Sequence, residues 1–283
     1  MMSEFPLDVA QIVALFLESL FYGLNLVSFL SCMHALLFIK HDGSNGQYIY
    51  FMGTTLFFFT FATLDVVFLL RHVLDAFIWY KGGGHALEEL LILSCWVSAM
   101  KTFTYAAQTS VADAVLVYRC LTFYKSHKYR WMIVAILGSL WAGGMVVEGL
   151  MCWIVFTYPA ESAATVHTGT LSPFVTAMLV VTLILNVGAT ALITYHVWPA
   201  TRRINEASAT NGNGHIQRAM RIWIDSAAMY TLSVLVFAVV YSCNNNALYG
   251  VSDCVVQVIV CLFLILGPLS RLDYQHLRAF RSI

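Results

Sequence analysis

Charge is scarce in this sequence. Asp, Glu, Lys and Arg make up 11% of its 283 residues, against 60% for hydrophobic ones. A soluble domain usually carries about twice that charge. The seven cysteines are scattered, with no CxxC pair and no Cys/His group of the kind that holds zinc. Most of the nine histidines fall in loops or at the ends of apolar runs, with no His-x-x-x-His pair, which argues against a seven-helix zinc hydrolase. No Asn-x-Ser/Thr sequon occurs. Residues 1–9 carry Glu4 and Asp8 but no basic residue, and no small-residue cleavage site follows a short apolar core. A signal peptide is therefore not expected. No convincing internal repeat marks an inverted-repeat transporter. These absences exclude a soluble domain, and neither enzyme activity, a metal, a cofactor nor a nucleic-acid partner is expected.

Long apolar runs fill the space instead. Stretches of roughly 20 apolar residues mark bilayer-spanning helices. Seven are expected, at about 10–38, 48–72, 90–123, 131–157, 172–198, 218–241 and 252–270. The fold class expected is an all-α membrane protein: one seven-transmembrane helix bundle over residues 1–283, in the plasma membrane, with the lipid bilayer as its first partner. Basic residues orient it. With the N-terminus outside, the inner loops and tail hold Lys40, Arg119, Lys125, Lys128, Arg130, Arg202, Arg203, Arg218, Arg221, Arg271, Arg278 and Arg281, twelve of the 15. Arg71 and Lys81 fall outside, and Lys101 lies within a span. The C-terminus is then cytoplasmic. Residues 271–281 read as a short helix on the inner membrane surface or as a frayed tail. Cys243 and Cys254 flank the last outer loop and are candidates for a disulfide; free buried thiols are the alternative.

The few charges inside the spans are the informative ones. A helix turns by about 100° per residue, so Ser94, Ser98, Tyr105, Gln108, Ala112 and Arg119 all fall within roughly 60° of Lys101. The third span thus has a polar stripe, with a lysine in its outer part and an arginine about 27 Å further in. Asp113 falls about 120° away and is no helix-surface partner of Arg119. It must face a neighbouring helix, water, or a protonated state. Glu18 shares a stripe with Tyr22, Asn25 and Cys32. Counted from each rim, Glu18, Asp65, Lys101 and Glu148 all fall roughly 10–18 Å below the outer surface. A charge at that depth costs several kcal/mol unless paired or hydrated, so a shared polar interior is expected. Lys101 is expected to pair with Glu148 or Asp65. The candidate ligand pocket is Glu18, Asp65, Lys101, Tyr105 and Glu148. Simple packing through buried charges is the competing reading. Asp113, Tyr118 and Arg119 are candidates for an inner-end switch, against a purely topogenic role for the arginine. Gly138 and Ala142 form a small-xxx-small pair, and Asn186, Thr190 and Thr194 mark one side of span five; these are expected to serve helix packing.

Three motifs bear a resemblance: "LESLFYG" (17–23), "VADAVLVYRC" (111–120) and "IDSAAMY" (224–230). They resemble a large family of uncharacterised seven-helix membrane proteins of mushroom-forming fungi. The resemblance marks Glu18, Tyr22, Gly23, Asp113, Tyr118, Arg119, Cys120, Ser226 and Tyr230. Asp225 departs from the commoner glutamate, and Phe123 and Tyr124 stand where a tryptophan is usual. The resemblance implies a fold and supplies no activity.

Two functions remain in competition. A receptor-like protein of G-protein-coupled type would take a ligand from the outer side and a cytoplasmic G protein or other effector within. Against it, the Asp/Glu-Arg-Tyr order is absent, the second outer loop has no cysteine to bridge to Cys95, and span seven has no lysine for an opsin-type Schiff base. A transporter or lipid-handling protein would use the intramembrane carboxylates with Lys101 as its path. The receptor reading is the one expected.

Overall fold

The computed structural model describes residues 6–38, 45–79, 96–124, 130–157, 172–207, 214–243, 248 and 250–264. All regular structure among them is helical. The helices are α1 (Leu7–Phe38), α2 (Asn45–Leu74), α3 (Trp96–Phe123), α4 (Arg130–Thr157), α5 (Ser172–Ala207), α6 (Gly214–Ser242) and α7 (Gly250–Leu264). A π-helical turn, Asp75–Trp79, extends α2 past its expected end at residue 72. The fifth and sixth helices also outrun their apolar stretches, into the polar segments on the side assigned to the interior. The surface helix expected at 271–281, the start of the third span expected at 90, and residues 80–95 and 158–171 lie outside the described residues.

Five helices are long and apolar enough to cross a membrane: Val9–Phe38, Tyr48–Ile78, Arg130–Thr157, Ser172–Tyr195 and Asp225–Ser242. The α3 helix has the length but not the apolarity, because it carries Lys101, Gln108, Asp113 and Arg119. Its burial accounts for that. It packs on α2, α4 and α5 and reaches α6 and α7 through side chains. A helix surrounded by helices needs no apolar face toward lipid. The α7 helix is described over too few residues to meet the length criterion.

The distribution of polarity is that of a membrane protein. Outward side chains are large and apolar: Phe16, Val27, Leu30, Ile136, Val146 and Ile184 are all more than half exposed. Polar side chains are inside instead: Glu18, Asn25, Gln108 and Gln257 have no exposure at all. Water would reverse that arrangement. Even the outward-facing hydroxyls are satisfied within their own helices. Ser19 donates to the Leu15 carbonyl at 2.7 Å and Ser31 to that of Val27 at 2.9 Å, as a solvent without hydrogen-bonding groups demands. The chain is an integral membrane protein.

Small residues set the closest approaches, though not where the sequence put them. A side-chain carbon at Gly138 or Gly143 would meet nothing, and Ala142 is exposed. Gly144 is the glycine of α4 that faces α5, where Val181 lies 3.5 Å from an added carbon. Gly250 brings α7 against Ala14 of α1 at 3.6 Å. The largest apolar cluster among the described residues is built from α2 to α7, with Phe58 of α2 stacked on Phe263 at 5.0 Å.

Candidate functional site: two polar nodes on the third helix

The first node surrounds Lys101. Its ammonium donates to Asp253 Oδ2 at 2.7 Å, joining α3 to α7. This corrects the expected pairing with Glu148 or Asp65. Asp253 is 3% exposed, one turn into α7. Glu18 and Asp65 are the next electrostatic neighbours of the lysine. Asp65 Oδ1 accepts from Thr104 at 3.3 Å, and Glu18 and Asp65 are electrostatic neighbours. Glu18 Oε1 accepts from Gln257 Nε2 at 3.3 Å. Asn25, two turns along α1, donates to the Gln257 side-chain oxygen and to its backbone carbonyl. Four helices therefore meet at three carboxyls and one ammonium. Asp253 and Gln257, at i and i+4, present one face of α7 to this set.

The stripe read on α1 faces its neighbours along its length. Tyr22 pairs with Thr63 at 3.0 Å and Cys32 with Thr55 at 3.6 Å, both on α2. Glu148 does not join the lysine. Its Oε1 accepts from Thr109 at 2.9 Å and its Oε2 from Ser110. Those residues stand about 12 Å beyond Lys101 along α3, toward its C-terminal end. The expected single cluster is thus divided, because α4 meets α3 lower down than depth from its own rim implied.

The second node surrounds Asp113. Oδ1 accepts from Asn186 at 3.2 Å and from the Tyr230 hydroxyl at 3.4 Å; Oδ2 accepts from Thr182 at 3.5 Å. A neighbouring-helix environment, one of the three alternatives open for this aspartate, is the one found. It ties α3 to α5 and α6 with neutral donors. Glu148 is its electrostatic neighbour. Tyr105, one turn after Lys101, has Glu148, Asp113, Asp253 and Asp65 as electrostatic neighbours. Asn186 and Tyr230 enter the site from residues read as packing and motif positions. Ser226, the other helix-six motif residue, is buried one turn away from Tyr230.

Toward the C-terminal end of α3, the Arg119 guanidinium lies 5.2 Å from the centre of the Phe263 ring. It lines a small cavity with Tyr50, Thr54, Phe58, Val115 and Leu264. Tyr118 is half exposed, its ring 4.9 Å from that of Tyr50. Cys120 is fully buried. Tyr124 donates to the Leu192 carbonyl at 2.9 Å, fixing the end of α3 on α5.

Of the two readings open for Cys243 and Cys254, free thiols are the one found. Both are free thiols, Cys243 exposed at the end of α6 and Cys254 partly buried beside Asp253. The helical position of Cys254 places it on the bundle and not in the loop. Among the described residues no group of three His, Cys, Asp or Glu side chains is placed to hold a metal ion.

No protein-family model matches the chain, and no curated protein matches it.

Proposed function

We propose that this chain is a receptor-like protein with seven spans, the N-terminus outside and the C-terminus cytoplasmic, whose Lys101 node receives a ligand from the outer side. The fungal seven-helix family that its motifs resemble is the proposed kinship. The observation that carries the reading is the Lys101–Asp253 bridge between α3 and α7, on the same helix that carries Tyr118 and Arg119 at its other end. A polar ligand that competes for either partner loosens α3 from α7 near the outer face. The α3 helix then transmits the shift to the Arg119–Phe263 contact, which joins the same two helices within. Two contacts between one pair of helices, at opposite ends, make a two-state element that a ligand can bias.

The test is co-purification of the detergent-solubilised protein with a G-protein α subunit, for the wild type and for Arg119→Ala. Capture by the wild type and loss in a normally expressed Arg119→Ala variant is expected. Failure of the wild type to capture any α subunit overturns the coupling.

The second reading is transport. It is favoured by the excess of three carboxyls over one ammonium at the outer node, since carboxylate chains serve proton relays. Proton-linked flux in vesicles containing only this protein would replace the receptor reading with this one.

A further inference from the structure

Among the described residues, Gln108 is the least accounted-for side chain. It has no exposure, and neither its amide nitrogen nor its amide oxygen has a partner. Buried amides of this kind are nearly always bonded to protein or to ordered water. Its position is specific. Gln108 stands two turns after Lys101 on the same face of α3, about 20° off. Asp113 lies five residues further, about 7.5 Å along the axis. Gln108 therefore stands between the two nodes in height along α3, with Asp113 about 140° further round the helix, and next to Tyr105, which has carboxylates of both nodes as electrostatic neighbours. The outer node adds unpartnered acceptors of its own: Glu18 Oε2, Asp65 Oδ2 and Asn25 Oδ1.

What would satisfy these groups must both donate and accept. The amide nitrogen of Gln108 needs an acceptor, its oxygen needs a donor, and the carboxyl oxygens need donors. Apolar atoms do neither, and a bare cation serves the oxygens alone. Water does both, and a buried water typically makes about three hydrogen bonds to otherwise unsatisfied polar groups. Its bonds are nearly as good as direct ones. We propose that Gln108 is a water-binding residue, and that water held by its amide joins the Lys101–Asp253 node to the Asp113 node as one hydrogen-bonded network. Gln108 acts as a positioning residue, through the water it holds. The inference does not depend on the receptor reading; a coupled network serves ligand signalling and proton passage alike.

Two measurements test it on the full-length protein. The first is a crystal structure of the wild type from a lipidic phase, at a resolution that shows water. Ordered water within about 3 Å of both amide atoms of Gln108 is expected. A dry site, or an amide bonded directly to a neighbouring side chain, overturns the proposal. The second reads coupling by infrared spectroscopy, with the Asp113 carboxyl band assigned by Asp113→Asn. In the wild-type background Asp253→Asn shifts that band. With Gln108→Leu present, or Gln108→Met should the leucine variant fail to fold, the shift disappears. A shift that persists at full size in either Gln108 variant shows the nodes to be linked without it and overturns the network.

Discussion

The two nodes of α3 bury carboxylates by different means. Around Lys101 the balance is ionic: an ammonium and Asp253 make a direct pair at 2.7 Å, and two more acids crowd in. Around Asp113 there is no cation among its named partners; an amide and two hydroxyls stand in for one. The ionic node joins α3 to α1, α2 and α7. The neutral node joins it to α5 and α6. A helix with both can anchor two halves of a bundle by unlike forces, one of long reach and costly to break, the other short, directional and divided among three donors.

The contrast is broken most severely by Lys101→Ala. It leaves Asp253 buried without its ion and removes the cation nearest Glu18 and Asp65. Removing one partner of a buried pair costs about 3–5 kcal/mol, so thermal unfolding in detergent should show a large fall in Tm. Replacing both partners, Lys101→Met with Asp253→Leu, should recover most of it, since apolar substitutes for a buried pair are often neutral or better. A double variant no more stable than Lys101→Ala would show that the cost lies in Glu18 and Asp65. Asp113→Ala comes next. Three donors lose their acceptor, at about 1–3 kcal/mol, while Asp113→Asn should cost less because one carbonyl oxygen remains. Should Asp113→Asn prove as damaging as Lys101→Ala, the second node would be ionic after all. Tyr230→Phe removes one donor of three and should cost about 0.5–1.5 kcal/mol by the same measurement. The smallest effect belongs to Cys243→Ser, expected to leave Tm unchanged. Without reductant, a water-soluble maleimide should label the wild-type thiol at Cys243, and mass spectrometry would read the adduct.

Periodicity carried part of this. The angular positions of Lys101, Tyr105 and Gln108 on one stripe, and of Glu18 and Asn25 on another, follow from the helix repeat alone and lead to buried faces. The membrane character follows from composition. What periodicity does not encode is which helix faces which, and at what height. Lys101 found Asp253 because α7 lies against α1 and α3, a fact of tertiary packing. Glu148 missed the lysine for the same reason. Asp253 was passed over because it falls at the border of an apolar run, where acids ordinarily meet water. The spacing of Asp253 and Gln257 was the available signal, a polar pair one turn apart in an apolar helix. Sequence alone leaves a disulfide and free thiols both open for Cys243 and Cys254; the helical position of Cys254 goes with free thiols. Small residues on α4 misled: Gly138 and Gly144 look alike in sequence, and only the facing Val181 separates them.

The apolar windows of α1 and α2 run for 30 and 31 residues, and that of α5 for 24. Upright, these are about 45, 46 and 36 Å long, against a hydrocarbon layer about 30 Å thick. The longer two must lean further or carry their excess among the headgroups. They are also the helices that bear Glu18 and Asp65. A thicker or thinner bilayer therefore changes the lean of the two helices whose acids are electrostatic neighbours, and lipid chain length becomes a mechanical input to the spacing of those carboxyls.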